Sequence, residues 1–121
     1  MKLLLAVFLG GGLGSMARFG VSRLIISLFP SGFPWGTFAA NVLSCLLLAA
    51  FVGLIARQSL SSYWFAFLIV GFCGGFSTFS TFSFENVMLI QSGKWALAVA
   101  NIGLSVVTCI ALLIWLLKPT T

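Results

Sequence analysis

Four stretches of almost unbroken apolar sequence, Leu3–Phe29, Gly36–Ala56, Tyr63–Leu89 and Lys94–Leu117, narrow what this chain can fold into more than any other feature. Each reaches the ~20 residues that carry a helix across a hydrocarbon core, and only short joints separate them. Lipid offers no partner to a free peptide group, so such spans fold as helices. The sequence therefore predicts an all-α membrane protein whose residues 1–121 form one four-helix transmembrane domain. The first and third stretches exceed the required length, which predicts tilt, a break or water-exposed ends.

With 61% of 121 residues hydrophobic and 6% charged, almost nothing is left for a soluble domain. The start Met1-Lys2-Leu3-Leu4-Leu5 also fits a secretory signal, but no hydrophilic segment follows it, and a retained first helix is expected. Enzyme chemistry has little to work with. The chain has no histidine and a single carboxylate side chain, Glu85, and it lacks a phosphate-binding Gly-Lys loop. Cys45, Cys73 and Cys109 fall one per apolar stretch without the spacing of a metal or redox motif, and read as small buried hydrophobes. The +5 formal charge is scattered along the chain, which suits lipid headgroups and not nucleic acid.

Charge placement bears on orientation. With the N-terminus cytoplasmic, Lys2, Arg57 and Lys118 share that side, Arg23 and Lys94 lie opposite, and Arg18 leans towards the second set. So small a Lys/Arg bias does not fix orientation, and insertion both ways is expected. Two oppositely inserted copies can pair about a two-fold axis in the membrane plane. The predicted assembly is an antiparallel, dual-topology homodimer.

Polar residues are placed along helix faces. Thr37, Asn41, Ser44 and Cys45 share one face of the second span, and Asn101, Ser105, Thr108 and Cys109 repeat the pattern in the fourth. Small hydroxylated residues also serve simple helix packing, but the Asn41 carboxamide brings donors and an acceptor that must be met in hydrocarbon. In the first span Gly11, Ser15, Arg18 and Ser22 share a face. Arg18 reads as snorkelling or as facing a wet vestibule that would attract anions. Glu85, the chain's one acidic residue, lies near the end of the third span, which argues against proton-coupled transport.

The third span carries the run Gly71-Phe72-Cys73-Gly74-Gly75-Phe76-Ser77-Thr78-Phe79-Ser80-Thr81-Phe82-Ser83, a poor plain helix. A helix broken at mid-membrane exposes carbonyls that hold cations and amides that hold anions. The Gly74 and Ser77 carbonyls are placed to meet a cation, and a two-fold axis would make them a four-oxygen cage. Phe79 and Phe82 share a face just beyond the break, and inward ring edges favour an anion without trapping it.

These motifs, with Gly11-Gly12-Leu13-Gly14-Ser15-Met16-Ala17-Arg18-Phe19 and Gly36-Thr37-Phe38-Ala39-Ala40-Asn41, closely resemble the Fluc family of bacterial fluoride channels, also called CrcB. The resemblance covers essentially the whole chain. It implies a dual-topology dimer with two fluoride pores, exporting fluoride passively across the bacterial cytoplasmic membrane. By position it places Phe79 and Phe82 as pore-lining aromatics, Asn41 as the pore amide, and Gly74 and Ser77 as carbonyl ligands of a central structural sodium ion. Thr81 and Ser105 match the family's polar track, and Arg18 its vestibule arginine. The chain departs from the pattern at Ser44-Cys45, Ser77-Thr78, Asn101 and Cys109. Two other classes compete: a small multidrug transporter, which needs an embedded glutamate where the first span has Arg18 and Arg23, and a non-transporting scaffold subunit.

Overall fold

The computed structural model describes residues 1–119. Its elements are α1 (Lys2–Leu28), α2 (Trp35–Gln58), α3 (Ser62–Phe65), a π-helical stretch (Ala66–Cys73), α4 (Gly74–Phe76), α5 (Ser80–Gln91) and α6 (Trp95–Leu116). All regular structure among the described residues is helical, and four spans are long and apolar enough to cross a membrane: Lys2–Leu28, Trp35–Gln58, Ser62–Gln91 and Trp95–Leu116. These limits differ from the expected ones by no more than two residues.

Local chemistry explains the joints. Pro30 and Pro34 bracket the first turn, because proline lacks an amide donor and biases the residue before it away from helix. Pro34 caps α2, and Phe33, Trp35 and Phe38 pack there, with Phe33 and Trp35 centroids 4.5 Å apart. Between α5 and α6 the backbone closes a Schellman turn: Gly93 N–H donates to the Ile90 carbonyl and Lys94 N–H to the Leu89 carbonyl. Gly93 has φ +77, a conformation glycine adopts without strain.

α1 packs lengthwise on the π-helical stretch and α4, and small residues set how close it comes. A Cβ on Gly14 would collide with the Phe72 carbonyl, and one on Gly75 would sit 2.5 Å from the Gly11 carbonyl oxygen. Backbone cannot yield as a side-chain tip can. Gly14→Ala is therefore expected to destabilise the fold by about 1–3 kcal/mol, the usual cost of overpacking. Gly12→Ala, whose Cβ meets nothing within 4 Å, should hold stability or raise it by up to about 1 kcal/mol, since alanine is the better helix former. Thermal unfolding of the two variants in detergent checks the contrast.

The second half of the third span has different neighbours. α5 packs on α6, and α6 on α2, so the two ends of the third span are held by separate walls. Between them the helix stops at Phe76 and resumes at Ser80, with Ser77 extended at φ −79, ψ 157. Lipid-facing apolar side chains cover much of the rest, including Leu4, Phe8, Val107 and Ile114, all more than half exposed.

Candidate functional site

Side chains hold the stretch between Phe76 and Ser80 out of the helix. Thr78 N–H donates to Asn41 Oδ1 at 2.8 Å, and Asn41 Nδ2 donates to the Thr78 carbonyl at 3.2 Å. In a continuous helix that Thr78 amide would bond the Gly74 carbonyl four residues back. Thr81 N–H, whose helical acceptor would be the Ser77 carbonyl, donates instead to Thr78 Oγ1 at 3.2 Å. Asn41 and Thr78 thus divert the two amides that would have met the Gly74 and Ser77 carbonyls.

The Cys73 and Gly75 carbonyls beside them are occupied. Arg18 Nε donates to the Gly75 carbonyl at 3.2 Å, where a cation also complements the negative end of the helix. The Cys73 carbonyl accepts from Ser77 N–H and Ser77 Oγ, each at 3.0 Å, and from Ser44 Oγ at 3.2 Å. The Gly74 and Ser77 carbonyls, like that of Phe76, meet no hydrogen-bond donor among the described residues, and oxygens of this kind are hard ligands that suit a small hard cation. Among the described residues no cluster of three or more histidine, cysteine or acidic side chains could hold a metal.

A cavity of about 260 Å³ opens beside this stretch, lined by Asn41, Thr78, Phe79, Phe82, Ser105 and Cys109 among others. Three spans contribute to it. The rings of Phe79 and Phe82 lie 6.0 Å apart at 40°. Phe82 is 8% exposed, whereas Phe79 is 80% exposed. Asn41 has used one amide hydrogen on Thr78, and a carboxamide carries two, so a donor remains for the cavity. Of the expected site residues, Asn41, Ser77, Phe79, Phe82 and Ser105 share this lining; Thr81, Arg18 and Gly74 are not part of it.

Cys45 and Cys109 line the same cavity, while Cys73 is buried. Their shared placement is a property of the α2–α6 packing and not of sequence spacing. Asn86 is a further polar residue that the sequence reading passed over. Its Nδ2 donates to the Phe82 carbonyl at 3.0 Å, and its Oδ1 accepts from Asn101 Nδ2 at 2.8 Å. Ser105 Oγ then donates to Asn101 Oδ1 at 3.1 Å. A signal was present, since Asn86 follows Phe82 by one helical turn and a carboxamide in a span needs a partner.

Glu85 is met by another α2 residue. Thr37 Oγ1 donates to its Oε1 at 2.6 Å, while Oε2 is buried without a protein partner among the described residues. Glu85 and Lys94 line a second cavity, of about 340 Å³, under the α1–α2 turn. Thr37, Asn41 and Ser44 therefore all bond the third span, which makes the polar face of α2 a packing seam as well as a cavity wall.

Residues 5–116 match the family model described as "CrcB-like protein, Camphor Resistance (CrcB)". A protein of Phocaeicola vulgatus named "Fluoride-specific ion channel FluC" is 47% identical over 98 residues, 78% of each chain. Its namesake in Flavobacterium psychrophilum is 43% identical over 107 residues, 88% of this chain and 86% of the relative. Another, from Azobacteroides pseudotrichonymphae, is 42% identical over 120 residues, 94% of this chain and 93% of the relative. The family match runs through all four spans, and this chain belongs to the CrcB family.

Proposed function

We propose that this chain is a fluoride channel that lets fluoride leave the bacterial cytoplasm passively across the cytoplasmic membrane. The observation that carries the reading is the cavity in which Asn41, Phe79, Phe82 and Ser105, drawn from three spans, come together beside the interrupted helix. The relatives named as fluoride-specific channels support the choice of ion. Among the described residues no charged side chain lines the cavity, so an anion there meets an amide hydrogen and ring edges that bind it loosely enough to release it.

The working unit in this reading is an antiparallel homodimer with the third helix broken at mid-membrane. Extended backbone at that depth must be covered by protein or water, and Gly74, Phe79 and Ser80 are exposed in the single chain. A second, inverted copy covers that face and gives two pores, one per Phe79–Phe82 pair. The same axis brings two sets of Gly74 and Ser77 carbonyls together around a structural sodium ion. When bound, sodium supplies fixed positive charge that offsets the several kcal/mol an anion costs at the bilayer centre. Arg18 adds positive charge nearby, and Thr81 lies next along the face towards the vestibule.

Liposomes loaded with fluoride and carrying the purified protein test the reading. A fluoride electrode should record efflux within seconds to minutes, while chloride-loaded vesicles retain their chloride. Vesicles that hold their fluoride as protein-free ones do would refute the channel, and a scaffold role would then stand. Export of a cationic drug driven by a proton gradient would favour a multidrug transporter instead.

A further inference from the structure

The direction of every hydrogen bond in the Asn86–Asn101–Ser105 chain is fixed from one end. The Phe82 carbonyl can only accept, so Asn86 must turn its Nδ2 towards it at 3.0 Å. That leaves Asn86 Oδ1 to face Asn101, which must answer with Nδ2 at 2.8 Å. Asn101 Oδ1 then faces Ser105, and a hydroxyl beside a carbonyl oxygen must donate, here at 3.1 Å. Asn86, Asn101 and Ser105 are 5%, 1% and 5% exposed, so water does not compete for these groups.

Ser105 also lines the cavity, whereas Asn86 and Asn101 do not. A serine hydroxyl has one proton. With that proton committed to Asn101, the side of Ser105 turned to the cavity is lone pairs, which repel an anion. We infer that the Asn86–Asn101 pair withholds the Ser105 proton from the pathway and so sets the rate at which an anion passes this point. Asn86 and Asn101 act as positioning residues, and they touch no ion themselves. The inference rests on reading the cavity as an anion pathway.

For Ser105 to turn its proton to an anion, the bond to Asn101 must break and leave a buried acceptor unmet. Such a bond has a modest net worth, which corresponds to roughly three- to tenfold in rate. Removing the polarity of the chain from its far end releases the hydroxyl without altering the cavity. In Asn86→Leu, Asn101 is free to flip its carboxamide and donate Nδ2 to Ser105 Oγ. Asn101→Leu removes the competing acceptor outright.

The test is fluoride efflux from liposomes for the unaltered chain, Asn86→Leu and Asn101→Leu, each also combined with Ser105→Ala. Folding is read beforehand as a single monodisperse peak in detergent, and either leucine variant suffices if the other fails it. The expected result is efflux about three- to tenfold faster in the leucine variants, with Ser105→Ala reversing that gain. A purely structural role for the asparagines would give slower or equal flux and no coupling to Ser105. Equal or slower efflux in a folded leucine variant, or a gain that survives Ser105→Ala, would overturn the inference. Absence of efflux from the unaltered chain would instead overturn the channel reading itself.

Discussion

Fluoride efflux is expected to fall at least about a hundredfold when Phe79 or Phe82 is replaced by isoleucine, a loss of roughly 2.7 kcal/mol of stabilisation along the pathway. Isoleucine keeps the apolar bulk but has no ring quadrupole, so the positive edge that an anion meets disappears. The two variants should differ in stability. Phe82 is 8% exposed and holds α5 in place, so its replacement leaves a partial void worth about 1 kcal/mol or more. Phe79 is 80% exposed in the single chain, so its replacement should leave the fold of each chain unchanged and act only on the pairing of the two copies. Efflux at the original rate in Phe79→Ile would show that ring edges do not conduct the anion.

This contrast between the two rings could not be read from the sequence, where they are equivalent aromatics three residues apart. The number of membrane-spanning helices was legible, because hydropathy and length decide it almost alone. Glycine content and hydroxyls also marked Gly71–Ser83 as a place where a plain helix is costly. What the sequence could not say is how the interruption is held. The partner of Thr78 is Asn41, 37 residues away, and that of Glu85 is Thr37, 48 residues away. Pairings of that range depend on how two helices lie against each other, and periodicity within one helix carries no trace of it.

The same limit explains the cysteines and Asn86. Cys45 and Cys109 look like isolated small hydrophobes along the chain, yet α2 and α6 bring them to one cavity wall. Asn86 is marked in the sequence only by a carboxamide that needs a partner in an apolar span, and that partner, Asn101, arrives from the next span. Asn41 shows the opposite case. Its carboxamide stands out in an apolar segment, but the residue names suggest one task, and the geometry gives it two: fixing Thr78 and presenting an amide hydrogen to the cavity.

Those two tasks can be separated by replacing Asn41 in two ways. Asn41→Leu removes both bonds to Thr78, and the freed Thr78 amide then has one acceptor within its own chain, the Gly74 carbonyl of a continuous helix. The extended backbone should close up, taking the Gly74 oxygen from any cation and the amide from the anion. Asn41→Asp still accepts the Thr78 N–H, so the Gly74 and Ser77 carbonyls stay free. It adds a negative charge beside the cavity, however, which repels an anion about 5 Å away by roughly 3 kcal/mol at an effective dielectric near 20. Both variants are expected to pass fluoride at least about a hundredfold more slowly. They should part on a second measurement, thermal stability in sodium against a large organic cation. Sodium should continue to stabilise Asn41→Asp and lose its effect on Asn41→Leu. Retention of the sodium response in Asn41→Leu would mean that Asn41 does not hold the interruption open, and the link drawn between the two carbonyls and the anion path would fail with it.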